Sequence, residues 1–221
     1  MINNCEEEII LGAFEKYSKE ILFSEIKSHK SYARMFHKFE SEVLYSLVRN
    51  QKPKKILEMG CYHGQTSNIL IKAILSNGIN CELISSDLLD YSKYMDYDNG
   101  QTSRKLILGD SKITITKEIG EIDFLFIDSD HTYDFAKWYC DVVIPLVKKG
   151  SFVMVHDWEG IEGDKDDEFR SIIENAINNG MLKRCMNLME YTKSHPNLSL
   201  TPRCFRYAVG DRNPSEILIR I

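Results

Sequence analysis

Residues Ile56–Ser67 read "ILEMGCYHGQTS", an apolar run carrying the carboxylate of Glu58 that falls into two glycines, Gly60 and Gly64. A short apolar run of this kind reads as a strand buried on both faces. Glycines directly after it let the chain turn sharply and bring its backbone close to a ligand. The stretch Gln65 to Leu75 has helical spacing, with Thr66 and Ser67 suited to its first turn. The free amides at that helix start aim at the same spot.

The alternation repeats on either side of this turn. "CELISSD" (Cys81–Asp87), entered through the turn "SNGIN", is a second predicted strand. "KLILGD" (Lys105–Asp110), "IDFLFIDSD" (Ile122–Asp130) and "GSFVMVHDW" (Gly150–Trp158) are three more, with a helix over Tyr133–Lys148 before the last. Strands this apolar, alternating with helices, predict an α/β doubly wound fold on a parallel sheet. Such a sheet binds ligands at the carboxyl ends of its strands, where the order reverses.

Upstream, apolar residues recur at Ile9, Ile10, Phe14, Ile21 and Leu22, then at Met35, Phe36, Phe39, Val43, Leu44 and Leu47. This spacing predicts two helices broken near Ser28–Ser31, with Pro53 marking the boundary before the first strand. The expected division is an amino-terminal helical segment over residues 1–50 and a ligand-binding domain over 51–221. Beyond Trp158 come an acidic loop, "EGIEGDKDDE", and a helix over Phe169–Asn179. Strand-like pieces "LKRCMNLMEY", "CFRYAVGD" and "EILIRI" then close the sheet with antiparallel strands.

Composition excludes several classes. The 221 residues, 43% hydrophobic and 28% charged, are enough for one sizeable core. With 28 basic against 33 acidic residues and no basic run denser than "KPKK" (Lys52–Lys55), nucleic acid is not an expected partner. The start "MINNCEEEII" is acidic where a secretory signal is basic, and no apolar run approaches the roughly 20 residues that cross a bilayer. A cytoplasmic protein without membrane contact is expected. The six cysteines include no Cys-x-x-Cys pair and read as small buried hydrophobes.

The turn itself discriminates between cofactors. A dinucleotide site wants Gly-x-Gly-x-x-Gly to seat a pyrophosphate, whereas here Cys61, Tyr62 and His63 separate two glycines and a third is missing. Glu58 would repel a pyrophosphate and suits a cationic amino-acid group. The pattern Glu-x-Gly-x-x-x-Gly-x-Thr at Glu58–Thr66 resembles motif I of the class I S-adenosylmethionine-dependent methyltransferases. Asp87, "LGDS" and "FIDSD" follow at successive strand ends in the order of that family, so the resemblance runs from Lys55 to Trp158.

The resemblance implies a Rossmann-like methyltransferase fold: a mostly parallel seven-stranded sheet with an antiparallel edge, behind two amino-terminal helices that relatives use as a lid. It implies S-adenosylmethionine as cofactor, with Glu58, Gly60, Tyr62, Gly64, Thr66 and Ser67 around the first turn. Asp87 and Leu88 match the ribose position, Gly109, Asp110 and Ser111 the adenine position, and Asp128 the strand end facing the methyl group. Each acid taken alone could equally be a cap or turn residue.

"IDSDHTY" and "GSFVMVHDW" resemble the branch containing catechol O-methyltransferase and the magnesium-dependent sugar O-methyltransferases. They look most like a bacterial group with an "IDGDHxY" and "GGxxxxHD" pair. That resemblance implies a metal set of Asp128, His156 and Asp157, and catalytic roles for His131, Asp128 and His156. His156 stands where the sugar enzymes have an acid, so Mg2+ or Mn2+ are the expected ions, with imidazole favouring softer metals than magnesium. The plainer readings are that Asp130 and His131 cap the helix near Thr132, that Asp157 ends a strand, and that Trp158 is a core or pocket-wall aromatic. Tyr32, Arg34, Phe36 and the segment Leu88–Gly100 are candidates for shaping an acceptor pocket.

The function these features predict is O-methylation of a hydroxyl on a sugar or other small metabolite, with that acceptor and a second copy of the chain as partners. An NAD-dependent oxidoreductase, a non-catalytic S-adenosylmethionine-binding module and a metal-dependent oxygenase or hydrolase are the alternatives.

Overall fold

The computed structural model describes residues 5–21, 38–94, 102–157, 166–195 and 216–221. Tyr32, Arg34, Phe36, Trp158, Cys204 and the predicted strand "CFRYAVGD" lie outside the described residues, as does most of the acidic loop. Helices α1 (Cys5–Tyr17) and α2 (Lys38–Gln51) precede β1 (Lys55–Met59), α3 (Gln65–Asn77), β2 (Glu82–Asp87), β3 (Ser103–Leu108), the single turn α4 (Ser111–Thr114) and β4 (Phe124–Ile127). After them come α5 (Tyr133–Trp138), β5 (Phe152–Val155), α6 (Asp166–Asn178), β6 (Leu182–Asn187), α7 (Leu188–Ser194) and β7 (Glu216–Arg220).

The seven strands form one sheet in the order β3-β2-β1-β4-β5-β7-β6. β1 to β5 run parallel, and β7 lies antiparallel between β5 and β6. This is the expected doubly wound fold with an antiparallel edge, and the order reverses between β1 and β4. Alternate strand residues supply the two cores. Ile56, Leu83, Phe124, Phe126, Phe152 and Ile217 pack under α1, α2 and α3. Leu57, Ile84, Leu125, Val153 and Leu218 pack under α5 and α6. Burial on both faces explains why β4 and β5 are wholly apolar, while Glu58 on β1 is a fully buried carboxylate.

Two expectations are corrected. The helix predicted over Tyr133–Lys148 is α-helical only to Trp138, widens into a π-turn over Tyr139–Val143, and ends as 3-10 over Ile144–Leu146. Pro145 lacks the amide that the regular ladder would use and its ring crowds the carbonyl one turn back, so the helix cannot continue unchanged. "LKRCMNLMEY" is not one strand: it turns into α7 at Asn187, whose side chain caps the helix by accepting from the Glu190 amide at 2.9 Å. The spacing Asn187-x-x-Glu190 carried that signal.

Cysteines 5, 61, 81, 140 and 185 are free thiols, and all but Cys5 are buried, as expected of small hydrophobes. Among the described residues no helix is long and apolar enough to cross a membrane.

Candidate active site

Backbone hydrogen bonds carry the sheet past its strand ends and lock the site loops in register. Gly60 donates to the Ser86 carbonyl at 2.8 Å, Asp128 to Met59 at 2.8 Å, Gly109 to Asp87 at 2.9 Å and His156 to Ile127 at 2.8 Å. The residues after β1, β2, β3, β4 and β5 therefore meet along one edge. Gly60 has φ +85°, and a Cβ placed there would lie 1.8 Å from the Asp128 carbonyl oxygen. Its glycine is required by the approach of β4, at the reversal point, before any ligand is considered. Gly64, also left-handed at φ 77°, opens α3 at Gln65.

On the β1–β3 side, Glu58 accepts hydrogen bonds on Oε2 from Ser67 at 2.7 Å and Ser85 at 2.5 Å. Its Oε1 is buried and accepts none. Burial pushes the Glu58 carboxyl up to about 7, although both serines favour the charged form. A buried acceptor with an unfilled side is suited to a cationic donor. Asp87 Oδ2 accepts from the Cys61 amide at 3.0 Å and the Tyr62 amide at 2.7 Å, tying the first turn to the second strand. Asp110 caps α4 through the Lys112 amide at 2.8 Å, and the Ser111 hydroxyl pairs with Ser86 at 2.7 Å. Thr66 is buried in the first turn of α3, whereas Leu88 and Tyr62 are exposed at the edge. Tyr62, at φ 38°, packs its ring against His63 and Tyr91 at 4.0 and 5.2 Å.

On the β4–β5 side, ligand atoms of Asp128, His131 and Asp157 lie within 4.8 Å of one another. The capping alternative is settled locally: Thr132 caps α5 by accepting from Phe135, and Asp130 braces Thr132. The His131 ring instead stands with the two acids, edge to face with Phe169 at 5.4 Å. Asp157 holds φ 50°, a strained value for a non-glycine residue, and its Oδ1 is buried without a hydrogen bond. Burial raises the Asp157 carboxyl above its ordinary range.

His156, expected among the metal ligands with Asp128 and Asp157, lies beside both. Its ring is buried inside the edge, with Nδ1 3.1 Å from Asp128 Oδ1 and 3.4 Å from Asp157 Oδ1. Its Nε2 faces Glu40 Oε2 at 3.6 Å. Burial alone would lower its pKa, but Asp128 and Glu40 outweigh that and hold it well above the ordinary range. His131 joins the cluster from the chain after β4, while His156 follows β5 and lies buried between the aspartates and Glu40.

Residues 57–158 match the model of a family described as a methyltransferase domain. Over that stretch the chain resembles a methyltransferase domain. No curated protein sequence matches it. Among solved structures, it resembles the O-methyltransferase from Bacillus cereus in complex with SAH at 14% identity and TM-score 0.56, over 97% of this chain and 90% of that one. It also resembles TomG of Streptomyces achromogenes, an O-methyltransferase solved with SAM, at 13% identity and TM-score 0.51, over 97% and 89%. The SAH-bound methyltransferase PaMTH1 of Podospora anserina matches at 14% and 0.51, over 97% and 88%. At such identities the likeness speaks for the fold. The family match and motif I together support an enzymatic methyltransferase.

In this methyltransferase the first turn depends on Asp87. Asp87→Ala frees the Cys61 and Tyr62 amides and is expected to weaken S-adenosylhomocysteine binding by roughly 1–3 kcal/mol. Titration calorimetry reads this, and unchanged affinity removes Asp87 from the site.

The apo methyltransferase should also lose stability as pH rises. Glu58 and Glu216, the latter buried at the start of β7 against Arg184, are both pushed up by burial to about 7 from an ordinary 4.5. Both bind their protons more tightly folded than unfolded, so stability falls through that window and levels off above it. The urea midpoint should be lower at about pH 8 than at about pH 5.5; a midpoint that rises sinks this reading.

Sequence reasoning missed Glu40. It sits on the apolar stripe of α2 with Val43, Leu44 and Leu47, and a carboxylate in that stripe was the available signal. Tyr91, whose ring meets those of Tyr62 and His63 at 5.2 and 4.8 Å, falls in the segment Leu88–Gly100 named as a pocket candidate.

Proposed function

We propose that this methyltransferase transfers the methyl group of S-adenosylmethionine to a hydroxyl oxygen of a small metabolite, with sugars as the first class to screen. The observation that carries this reading is the convergence of Asp128, His131 and Asp157 beside the strand that bears Glu58 and leads into Gly60. The cofactor then spans the β1–β3 edge, its ammonium on the unfilled side of Glu58, its ribose near Asp87 and its adenine near Asp110. Residues 51–221 form the catalytic domain in this reading, and the amino-terminal helices close the acceptor side.

Methyl transfer is an in-line displacement. The carbon–sulfur bond breaks with its electron pair left on sulfur while the carbon–oxygen bond forms, and the acceptor proton must leave. An aliphatic hydroxyl is a poor nucleophile at neutral pH. His131, Asp128 and Asp157 hold the acceptor oxygen, and one of them receives its proton.

The same three residues suit a divalent cation. Two carboxylates and an imidazole converge, and a buried Asp157 oxygen lacks a hydrogen-bond donor. Such an ion, Mn2+ ahead of Mg2+ because of the imidazole, would lower the pKa of a bound hydroxyl. The test is methyl transfer from labelled S-adenosylmethionine across a panel of sugars and catechols, with Mn2+ and then EDTA. Transfer that EDTA abolishes and Mn2+ restores supports the whole reading. Transfer indifferent to EDTA retains the acid–base role and discards the metal, and transfer to nitrogen acceptors alone defeats the hydroxyl assignment.

A further inference from the structure

We propose that Glu40 is a positioning residue of the acceptor site: from α2 it holds the His156 ring, and His156 in turn holds the Asp128 carboxylate. The inference rests on the reading of Asp128, His131 and Asp157 as the acceptor site.

Three observations carry it. The Glu40 side chain is fully buried, at 0% exposure, in a helix separated in sequence from both β4 and β5. Withdrawing a carboxylate from water is costly, and an apolar residue would fill the stripe of Val43, Leu44 and Leu47 without that cost. The Glu40 carboxylate and the two aspartates face opposite nitrogens of one ring: Nε2 lies 3.6 Å from Glu40, and Nδ1 lies 3.1 Å from Asp128 and 3.4 Å from Asp157.

Acids facing both nitrogens bias the ring in plane and in rotation. Asp128 Oδ1 therefore faces a ring whose orientation is biased from behind by α2. Outer groups of this kind orient the residues that touch a ligand and commonly change metal affinity or activity by about 10–100-fold when removed. α2 thus does more than cover the sheet: it delivers one charge to the back of the reacting edge. Glu58 and Asp87, which serve the cofactor side, lie on β1 and β2, so a defect in the Glu40 relay should be confined to the acceptor side.

The experiment compares wild type with Glu40→Gln, without metal, by the 15N signals of the His156 ring and the 13C carboxyl signal of Asp128. Both signals should shift, while S-adenosylhomocysteine affinity stays within about twofold. Mn2+ affinity should then fall about tenfold or more. No shift at either residue overturns the proposal, and so does a His156 shift that stops short of Asp128. Unchanged Mn2+ affinity, in a wild type that binds the ion, overturns it too. If both signals shift but wild type binds no Mn2+, the relay stands and only the metal part of the proposed function fails. Should Glu40→Gln not fold, Glu40→Asp keeps the buried charge and shortens the reach, and the same signals should shift in the same direction.

Discussion

Asp128→Asn should leave S-adenosylhomocysteine binding within about threefold of wild type and cut methyl transfer by about a hundredfold or more. The substitution keeps the size of the side chain and removes its charge. The connection to the cofactor side runs through the Asp128 backbone, whose amide donates to Met59 and whose carbonyl oxygen abuts Gly60, and none of that changes. What changes is the acid beside His131 and Asp157, and the partner of His156 Nδ1. Steady-state kinetics with the best acceptor, paired with calorimetry of S-adenosylhomocysteine, separates the two effects. Turnover near wild type would move the reaction away from the β4–β5 edge; lost cofactor binding would make Asp128 a cofactor residue first.

Gly60→Ala should destabilise the protein by about 3 kcal/mol or more and abolish cofactor binding. Two penalties combine. At φ +85° an L-residue with a Cβ is strained, and the new methyl would sit 1.8 Å from the Asp128 carbonyl, which is backbone and cannot rotate aside. Relief requires β1 and β4 to separate where the sheet reverses. Gly78→Ala supplies the control: it has φ +63° at the end of α3, but a Cβ added there would meet nothing within 4 Å, so it should cost only about 1 kcal/mol. Urea denaturation of both variants measures the difference. Equal losses would show that the dihedral alone accounts for Gly60.

Much of the fold was legible because its signals are local. Apolar runs bounded by glycine and acid marked β1, β2, β4 and β5; β1 and β2 were found within a residue, while β4 and β5 start two residues later and end three earlier than expected. Errors arose where a competing local rule was overlooked: Pro145 interrupts the helix after Tyr133, and the Asn187 cap turns a presumed strand into α7. The acids at successive strand ends were legible as a pattern, although Asp87 and Asp110 also hold backbone amides of the turns beside them.

Sequence by itself determined that an α/β sheet carries a glycine turn after its first strand and bursts of acid and histidine after its fourth and fifth. Tertiary structure decided what each of those residues faces. Asp87 reaches back to the amides of the first turn, Gly60 yields to β4, and His156 turns inward to Glu40 while His131 joins the two aspartates. The reason is physical: strand and turn propensities act over a few neighbouring residues, whereas the partner of a buried charge is fixed by which distant helix and strand pack against it.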